Sequence, residues 1–354
     1  MWSEADIEII KQLEGVSEPY CRVKFYCIFK KGNLLLALPK ERHLALNTLS
    51  LYQPQAWKAR RLAAGIKLLV KCNLHNRFLP SRSFTFRVEG PIAALKVDDS
   101  GFGFLLGNPE SKERSVILAR KTGGEVVIDK VGLSAPARDS VSNEVSIIRS
   151  LPDRLVGLAD LRQFELNDHW SFYSCPLVDG RSPARRHDDL VLSVLQSWFK
   201  FAKKKPLIET RQWDKISEYI DTHQMHRGNM LLDGGKNLDV MVGICHGDFA
   251  PWNIKVAVGG NVVVMDWEYG SCSAPSAWDW MHYLIQRASL VDQLPAADTL
   301  QVCRDWAHTA KGKVFMDEAG WGGNIELCLG SYLVYSNALG HFEHLSLLAE
   351  WTKE

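Results

Sequence analysis

Two short stretches decide how this chain reads: Cys245-His246-Gly247-Asp248-Phe249-Ala250-Pro251-Trp252-Asn253 and Met265-Asp266-Trp267-Glu268-Tyr269-Gly270. Between them lie two apolar runs, Ile254–Val258 and Val262–Met265, joined by Gly259-Gly260-Asn261. β-Branched strands around residues that tolerate positive φ form a β-hairpin signature. A hairpin returns its end to its start, so the spacing predicts Asp266 close to Asn253, with Asp248 at the same end. Asn253 and Asp266 are oxygen donors suited to Mg²⁺, which takes few protein ligands beside water and phosphate. Asp248 is then left to orient an acceptor hydroxyl and take its proton. That is the division of labour phosphoryl transfer needs: positioning, metal-borne charge neutralisation and a weak base.

The pattern His246-Gly247-Asp248, four residues, Asn253, then Asp266-Trp267-Glu268 resembles the kinase-like fold of the aminoglycoside phosphotransferase and choline kinase families. Protein kinases carry His-Arg-Asp and Asp-Phe-Gly at these places. The resemblance implies an α+β, two-lobed fold with a β-rich N-lobe and a helical C-lobe, preceded here by an N-terminal extension. It also implies transfer of the γ-phosphoryl of ATP or GTP to a hydroxyl of a small molecule: a sugar, a glycan precursor, an amino alcohol or an aminoglycoside. By the same resemblance His246 braces the catalytic loop and Asp279 anchors it. Glu268, two residues beyond Asp266, either reaches the metal through water or fixes a neighbouring loop.

Upstream, three sequential strands are expected at Phe102–Leu106, Val116–Arg120 and Glu125–Val131. The loop between the first two, Gly107 to Arg114 with Ser111 near its centre, would lie over the nucleotide phosphates, although it lacks Gly-x-Gly-x-x-Gly. Lys130 ends an apolar strand, where a buried ammonium needs a partner. Glu144, in the helical stretch Ser140–Leu151, is the candidate. In the resembling families such a pair holds the α- and β-phosphates, and Lys121, beside a turn, is the competing lysine. Strands at Gln163–Asn167 and Trp170–Cys175 lead into a hinge, where Ser174 to Leu177, with Cys175 central and Leu177 at its end, would bind adenine through the backbone. The expected division is thus 1–95 as an unassigned mixed α/β extension, 96–178 as the N-lobe and 179–354 as the C-lobe.

Within residues 1–95 a capping box at Ser3 starts a short helix ending at Gly15, and a hairpin joins Val23–Phe29 to Leu34–Leu38 through Lys30-Lys31-Gly32-Asn33. Pro54 to Lys71 reads as a basic amphipathic helix. It either packs on the body with a solvated basic face or touches an anionic membrane surface or acidic partner. After Gly180 helices are expected at Asp188–Phe201 and Pro206–His223. The region from Leu290 onward is helical and aromatic, with Trp306, Trp321, Tyr332, Tyr335, His341, His344 and Trp351 filling a core or lining an acceptor pocket.

At 354 residues the chain is long enough for two or three domains, and 42 basic against 41 acidic side chains give no nucleic-acid or membrane signal over the whole length. The apolar runs are too short for a transmembrane helix and the first residues lack a signal-peptide pattern. Eight cysteines without Cys-x-x-Cys spacing fit buried thiols in a reducing compartment. The expectation is a cytoplasmic enzyme using nucleotide, Mg²⁺ and a small-molecule acceptor, without nucleic acid. Two alternatives stand beside it: a protein Ser/Thr kinase, disfavoured by Gly247 and Trp267-Glu268, and a catalytically silent nucleotide-binding scaffold, disfavoured by the joint presence of Lys130, Asp248, Asn253 and Asp266.

Overall fold

The structure, a computed structural model, describes residues 20–54, 57–87, 95, 101–107, 114–340 and 344–353. The expected capping box at Ser3, most of the Gly107–Arg114 loop with Ser111, and His341 lie outside these residues. The chain divides into two compact units, Met1–Ile148 with Ala159–Val178 and Arg149–Leu158 with Asp179–Glu354. The first is β-rich and the second largely helical, which is the α+β class expected.

The first unit is organised on an eight-stranded antiparallel sheet in the order β3-β1-β2-β4-β5-β6-β8-β7. Its strands are β1 (Tyr20–Lys30), β2 (Asn33–Leu38), β3 (Ser81–Arg87), β4 (Phe102–Leu106), β5 (Val116–Thr122), β6 (Glu125–Gly132), β7 (Gln163–Leu166) and β8 (Ser171–Pro176). Three strands from the stretch before residue 95, whose role the sequence leaves open, therefore continue the same sheet as β4 to β8. Tight turns set the register: Lys31 and Gly32 take positive φ between β1 and β2, and Gly123 and Gly124 do so between β5 and β6.

The period-2 alternation gives the sheet two different faces. One carries Phe25, Phe84, Phe102, Phe104, Leu118, Val131 and Phe172 in a single apolar cluster. Phe25 and Phe102 have ring centroids 5.3 Å apart although β2 separates their strands, and the small Ala37 of β2 belongs to the same cluster. The other face is covered by helices: α1 (Arg42–Ser50) and α2 (Trp57–Lys71) near β2 and β5, and α4 (Ala135–Ser150) over β6 and β8, with α3 (His75–Phe78) a single short turn between α2 and β3. Lys130 faces α4, whereas its neighbour Asp129 points to the phenylalanine side and is neutralised there by Arg120.

The second unit holds α5 (Asp188–Trp198), α6 (Arg211–His223), α7 (His226–Gly235), α8 (Trp278–Gln286), α9 (Ala296–His308), α10 (Ala310–Glu318), α11 (Ile325–Ala338) and α12 (Leu345–Lys353). Two small sheets accompany them. One is β10-β11-β14, from Lys203–Pro206, Asp239–Cys245 and Ser271–Pro275; the other is β13-β12-β9, from Val262–Val264, Ile254–Ala257 and Gly180–Arg181. The helix expected from Pro206 begins only at Arg211, because Lys203–Pro206 pairs with β11 and leaves Pro206 at the strand end. All nine residues of α8 are buried, the mark of a central helix. The aromatic residues of α9 and α11 pack around it: Trp306 lies 5.3 Å from Trp280, and Tyr335 lies 5.1 Å from Trp278.

Candidate active site

The loop after β11 is built for Asp248. Gly247 has φ +82, and a Cβ there would stand 2.4 Å from the Tyr269 carbonyl oxygen, so both backbone conformation and space demand glycine. The Asp279 carboxylate, from the first turn of α8, accepts the backbone N–H of His246 at 2.6 Å and of Gly247 at 3.0 Å. The Cys245 thiol donates to it at 3.2 Å. His246 is wholly buried and its Nε2 lies 2.9 Å from the Met265 carbonyl, so it ties the loop to the end of the hairpin.

The expected hairpin forms, with Ile254 opposite Val264 and Val256 opposite Val262, and Gly259 and Gly260 at positive φ. The Met265 N–H donates to the Asn253 carbonyl at 2.8 Å, which places Asp266 beside Asn253 along the chain path. Asp266 itself takes φ +69, an uncommon conformation for a non-glycine residue. Trp267 is fully buried, its indole N–H donating to the Val264 carbonyl at 3.2 Å, and this fixes the turn from which Asp266 projects.

Asp248 is held at both oxygens. Asn253 Nδ2 donates to Oδ2 at 2.7 Å and to the Asp248 backbone carbonyl at 2.9 Å. His282 Nε2 lies 2.8 Å from Oδ1, an ion-pair distance although out of line for a straight hydrogen bond. Burial pushes the Asp248 carboxyl up, but His282, His246 and Asn253 together outweigh it and hold it at about 2. The group is therefore an anion at neutral pH, and its side chain keeps 28% of its surface exposed.

Spending both amide hydrogens on Asp248 fixes the Asn253 orientation. Its Oδ1 accepts no hydrogen bond among the described residues. Among the described residues no three His, Cys, Asp or Glu side chains are grouped to hold a metal by themselves. An amide oxygen and one carboxylate, completed by water and phosphate, is the incomplete protein set that Mg²⁺ accepts, so the residues fit that ion.

The first unit supplies a separate ionic cluster. Lys130 Nζ lies 2.9 Å from Glu144 Oε2, and the Tyr173 hydroxyl donates to Glu144 Oε1 at 2.9 Å, with both charged side chains more than nine-tenths buried. Lys121 instead meets Glu41 at 3.3 Å and is partly exposed. On the opposite sheet face Arg120 makes a two-point contact with Asp129 at 2.7 and 3.1 Å, and the Ser174 hydroxyl donates to Asp129 at 2.5 Å. At the end of β8, the Leu177 N–H is already used on the Val126 carbonyl at 3.0 Å. Cys175 pairs with Ile128 in the sheet.

Sequence reasoning does not single out His282 as a site residue, although a signal for it exists. It follows Asp279 by three residues, one helical turn, so the two share a face of α8. That face grips the loop twice, Asp279 on its backbone and His282 on the Asp248 carboxylate. His282 is in turn set by the Tyr332 hydroxyl, 2.6 Å from Nδ1, a contact from α11 that no local pattern announces. Lys255 is missed in the same way. It is 7% exposed on β12, two residues beyond Asn253, and burial lowers its ammonium to about 8.

Comparison with known proteins gives fold-level similarity only. No family model matches the chain, and no curated protein matches it. Among solved structures it is similar to a thermostable mutant of aminoglycoside phosphotransferase APH(4)-Ia in its apo form, at 14% identity and TM-score 0.48, over 74% of this chain and 94% of that one. Choline kinase LicA from Streptococcus pneumoniae matches at 13% identity and TM-score 0.41, over 74% of this chain and 96% of that one. Spectinomycin phosphotransferase APH(9)-Ia, in complex with ADP and spectinomycin, matches at 12% identity and TM-score 0.40, over 74% and 91%. These are the classes the sequence motif resembles. At such scores they carry no inference about substrate.

Proposed function

We propose that the protein transfers the γ-phosphoryl group of ATP or GTP to a hydroxyl of a small molecule. The observation that carries this reading is the Asp248–Asn253 pair. A partly exposed carboxylate is held at both oxygens, while the amide that holds it accepts no hydrogen bond at its own oxygen among the described residues. This supports a reading in which Asp248 is the orienting anion and Asn253 and Asp266 are the Mg²⁺ ligands, the two elements phosphoryl transfer requires.

In this reading Asp248 accepts a hydrogen bond from the acceptor hydroxyl and orients its lone pair toward the γ-phosphorus. As the new P–O bond forms and the bond to the nucleoside diphosphate breaks, Asp248 takes the released proton. Asn253 Oδ1 and Asp266 would hold Mg²⁺, which supplies charge neutralisation on the phosphates when bound. Glu268 supports that position through water or through its neighbouring loop. In the first unit Lys130, held by Glu144, contacts the α- and β-phosphates, Ser111 lies in the phosphate loop, and the Cys175–Leu177 backbone contacts adenine. The acceptor is a sugar, glycan precursor, amino alcohol or aminoglycoside.

Calorimetric titration of ATP and GTP with and without Mg²⁺ tests this first. Magnesium-dependent binding, lost in Asp266→Ala and retained in Asp248→Asn, is expected. Asp248→Asn should also abolish transfer to any acceptor found by screening hydroxylated compounds. Absence of binding for both nucleotides would remove the phosphotransferase reading, and wild-type turnover in Asp248→Asn would remove Asp248 from its role.

A further inference from the structure

The near-neutral total conceals a strong asymmetry. Between Tyr20 and Arg87 the chain has 14 Lys and Arg but a single acidic residue, Glu41, leaving 28 basic against 40 acidic residues elsewhere. Charge separation of this size within one chain marks contact with a polyanion. The structure shows where the charge lies. Lys24, Lys30, Lys31, Lys40, Arg42, Lys58, Arg60, Arg61, Lys67, Lys71, Arg77 and Arg82 are all exposed, and among the described residues none of them meets a carboxylate.

Helix α2 is the centre of this region. It holds five cations and no acidic residue in Trp57–Lys71. Ala59, Ala63, Ile66 and Val70 follow helical spacing and form its inward stripe, with Ile66 and Val70 buried. The opposite stripe is Trp57, Arg61, Ala64, Leu68 and Lys71, all exposed. On that stripe Trp57 is 56% and Leu68 62% exposed, and Phe78, just beyond the helix, is 67% exposed. Arg61 and Lys58 lie over the Trp57 ring, at 5.0 and 5.7 Å from its centroid. A face built only to be solvated has no use for an indole, a leucine and a phenylalanine standing among its cations. An interface between water and acyl chains uses both: cations for the headgroups, and Trp, Leu and Phe for the boundary below them.

We propose that the outward face of α2, with Arg77 and Phe78 beside it, docks the protein on an anionic phospholipid surface. The docking is at the surface: cations meet the headgroups and the apolar side chains reach the boundary below, and no helix among the described residues is long and apolar enough to span a bilayer. The match is between exposed cations and an anionic headgroup layer. Trp57, Leu68 and Phe78 provide the apolar insertion below the headgroups; a nucleic acid can stack bases on Trp57 or Phe78 but offers no acyl region for Leu68. The inference stands apart from the phosphotransferase reading and uses none of its residues.

The test is sedimentation of the full-length protein with vesicles of phosphatidylcholine alone, or of phosphatidylcholine with phosphatidylserine, alongside a DNA oligonucleotide of matched charge. Binding to the serine-containing vesicles only, weakened by raised salt, is expected. Each cation near such a surface contributes about a fivefold factor, so Lys67→Ala with Lys71→Ala should weaken binding roughly 25-fold. Trp57→Ala with Leu68→Ala should weaken it by about tenfold or more with charge unchanged. Lipids brominated in the acyl chain should quench a fraction of the tryptophan emission that is missing in Trp57→Phe. All these side chains are exposed, so unaltered thermal unfolding separates lost binding from lost fold. Equal vesicle binding by wild type and both double variants would overturn the proposal, as would no vesicle binding at all. Preference for the oligonucleotide over the serine-containing vesicles, whether or not it depends on Trp57, would overturn the membrane in favour of nucleic acid.

Discussion

Replacing Gly247 by alanine adds one methyl group at the point where the Asp248 loop passes the turn carrying Asp266. Two costs follow from the structure. The backbone sits at φ +82, a conformation that costs an L-residue about 1–2 kcal/mol. The new Cβ would also stand 2.4 Å from the Tyr269 carbonyl oxygen and 3.0 Å from its carbonyl carbon, so backbone must move. Overpacking of that kind typically costs about 1–3 kcal/mol. The expected loss of stability is therefore about 2–5 kcal/mol. Relief requires the Asp248 loop and the Tyr269 segment to separate by a large fraction of an ångström, and displacement on the order of 1 Å costs about a hundredfold in rate. Gly259→Ala is the internal control. Gly259 has φ +102 and open space within 4 Å of where its Cβ would stand, so it bears the conformational cost alone. Urea unfolding of both variants, with nucleotide turnover measured in parallel, decides the matter. Equal destabilisation by the two substitutions, or Gly247→Ala with wild-type turnover, would refute the reasoning.

Other expectations follow from single contacts. Glu144→Ala takes away the carboxylate 2.9 Å from the buried Lys130 ammonium and should cost about 3 kcal/mol in chemical unfolding. Lys130→Met leaves the still more deeply buried Glu144 carboxylate without that cation and should cost as much, whereas Lys130→Met with Glu144→Gln should be milder because neither charge then remains. His282→Ala frees Asp248 Oδ1 and should lower turnover about tenfold or more with nucleotide affinity unchanged, whereas His282→Gln, with an amide at the Nε2 position, should recover part of the loss. If alanine and glutamine behave alike, His282 only fills space. Burial raises the Glu326 carboxyl, but Arg304 at 2.6 Å and Arg227 at 3.0 Å outweigh it and hold it below its ordinary value. A carboxylate depressed on folding adds stability that is present above its unfolded value and lost as pH falls through the folded one. Acid unfolding should therefore begin at higher pH relative to the neutral-pH plateau in the wild type than in Glu326→Gln, and parallel pH curves for the two proteins would exclude this role.

Residues close in sequence announced most of what they do. The Ile254–Val264 hairpin, the sequence-adjacent strands at Phe102, Val116 and Glu125, and the return of Asp266 toward Asn253 depend on alternation and turn chemistry within about twenty residues, and such patterns are local. Lys130 and Glu144 could be paired on paper because a strand lysine needs an anion and the next helix offers one. Charge is legible region by region; averaging over all 354 residues cancels the basic stretch against the rest.

Tertiary structure alone decided the remainder. Lys203–Pro206 became a strand because β11 presented an edge to pair with, which no property of the four residues requires. The strands before residue 95 joined the β4–β8 sheet because β2 met β4 at Leu36–Leu105 and Ala37–Phe104, a choice of partner that alternation leaves open. His282 reached Asp248, and Tyr332 reached His282, across 34 and 50 residues of chain through the packing of α8 and α11. The sequence by itself determined the chemistry available and its local spacing, since these rest on covalent neighbours and short-range turns. Which side chains hold Asp248 in place was decided only on folding, because a contact between distant residues is set by how whole helices bury their surfaces and not by any pattern within them.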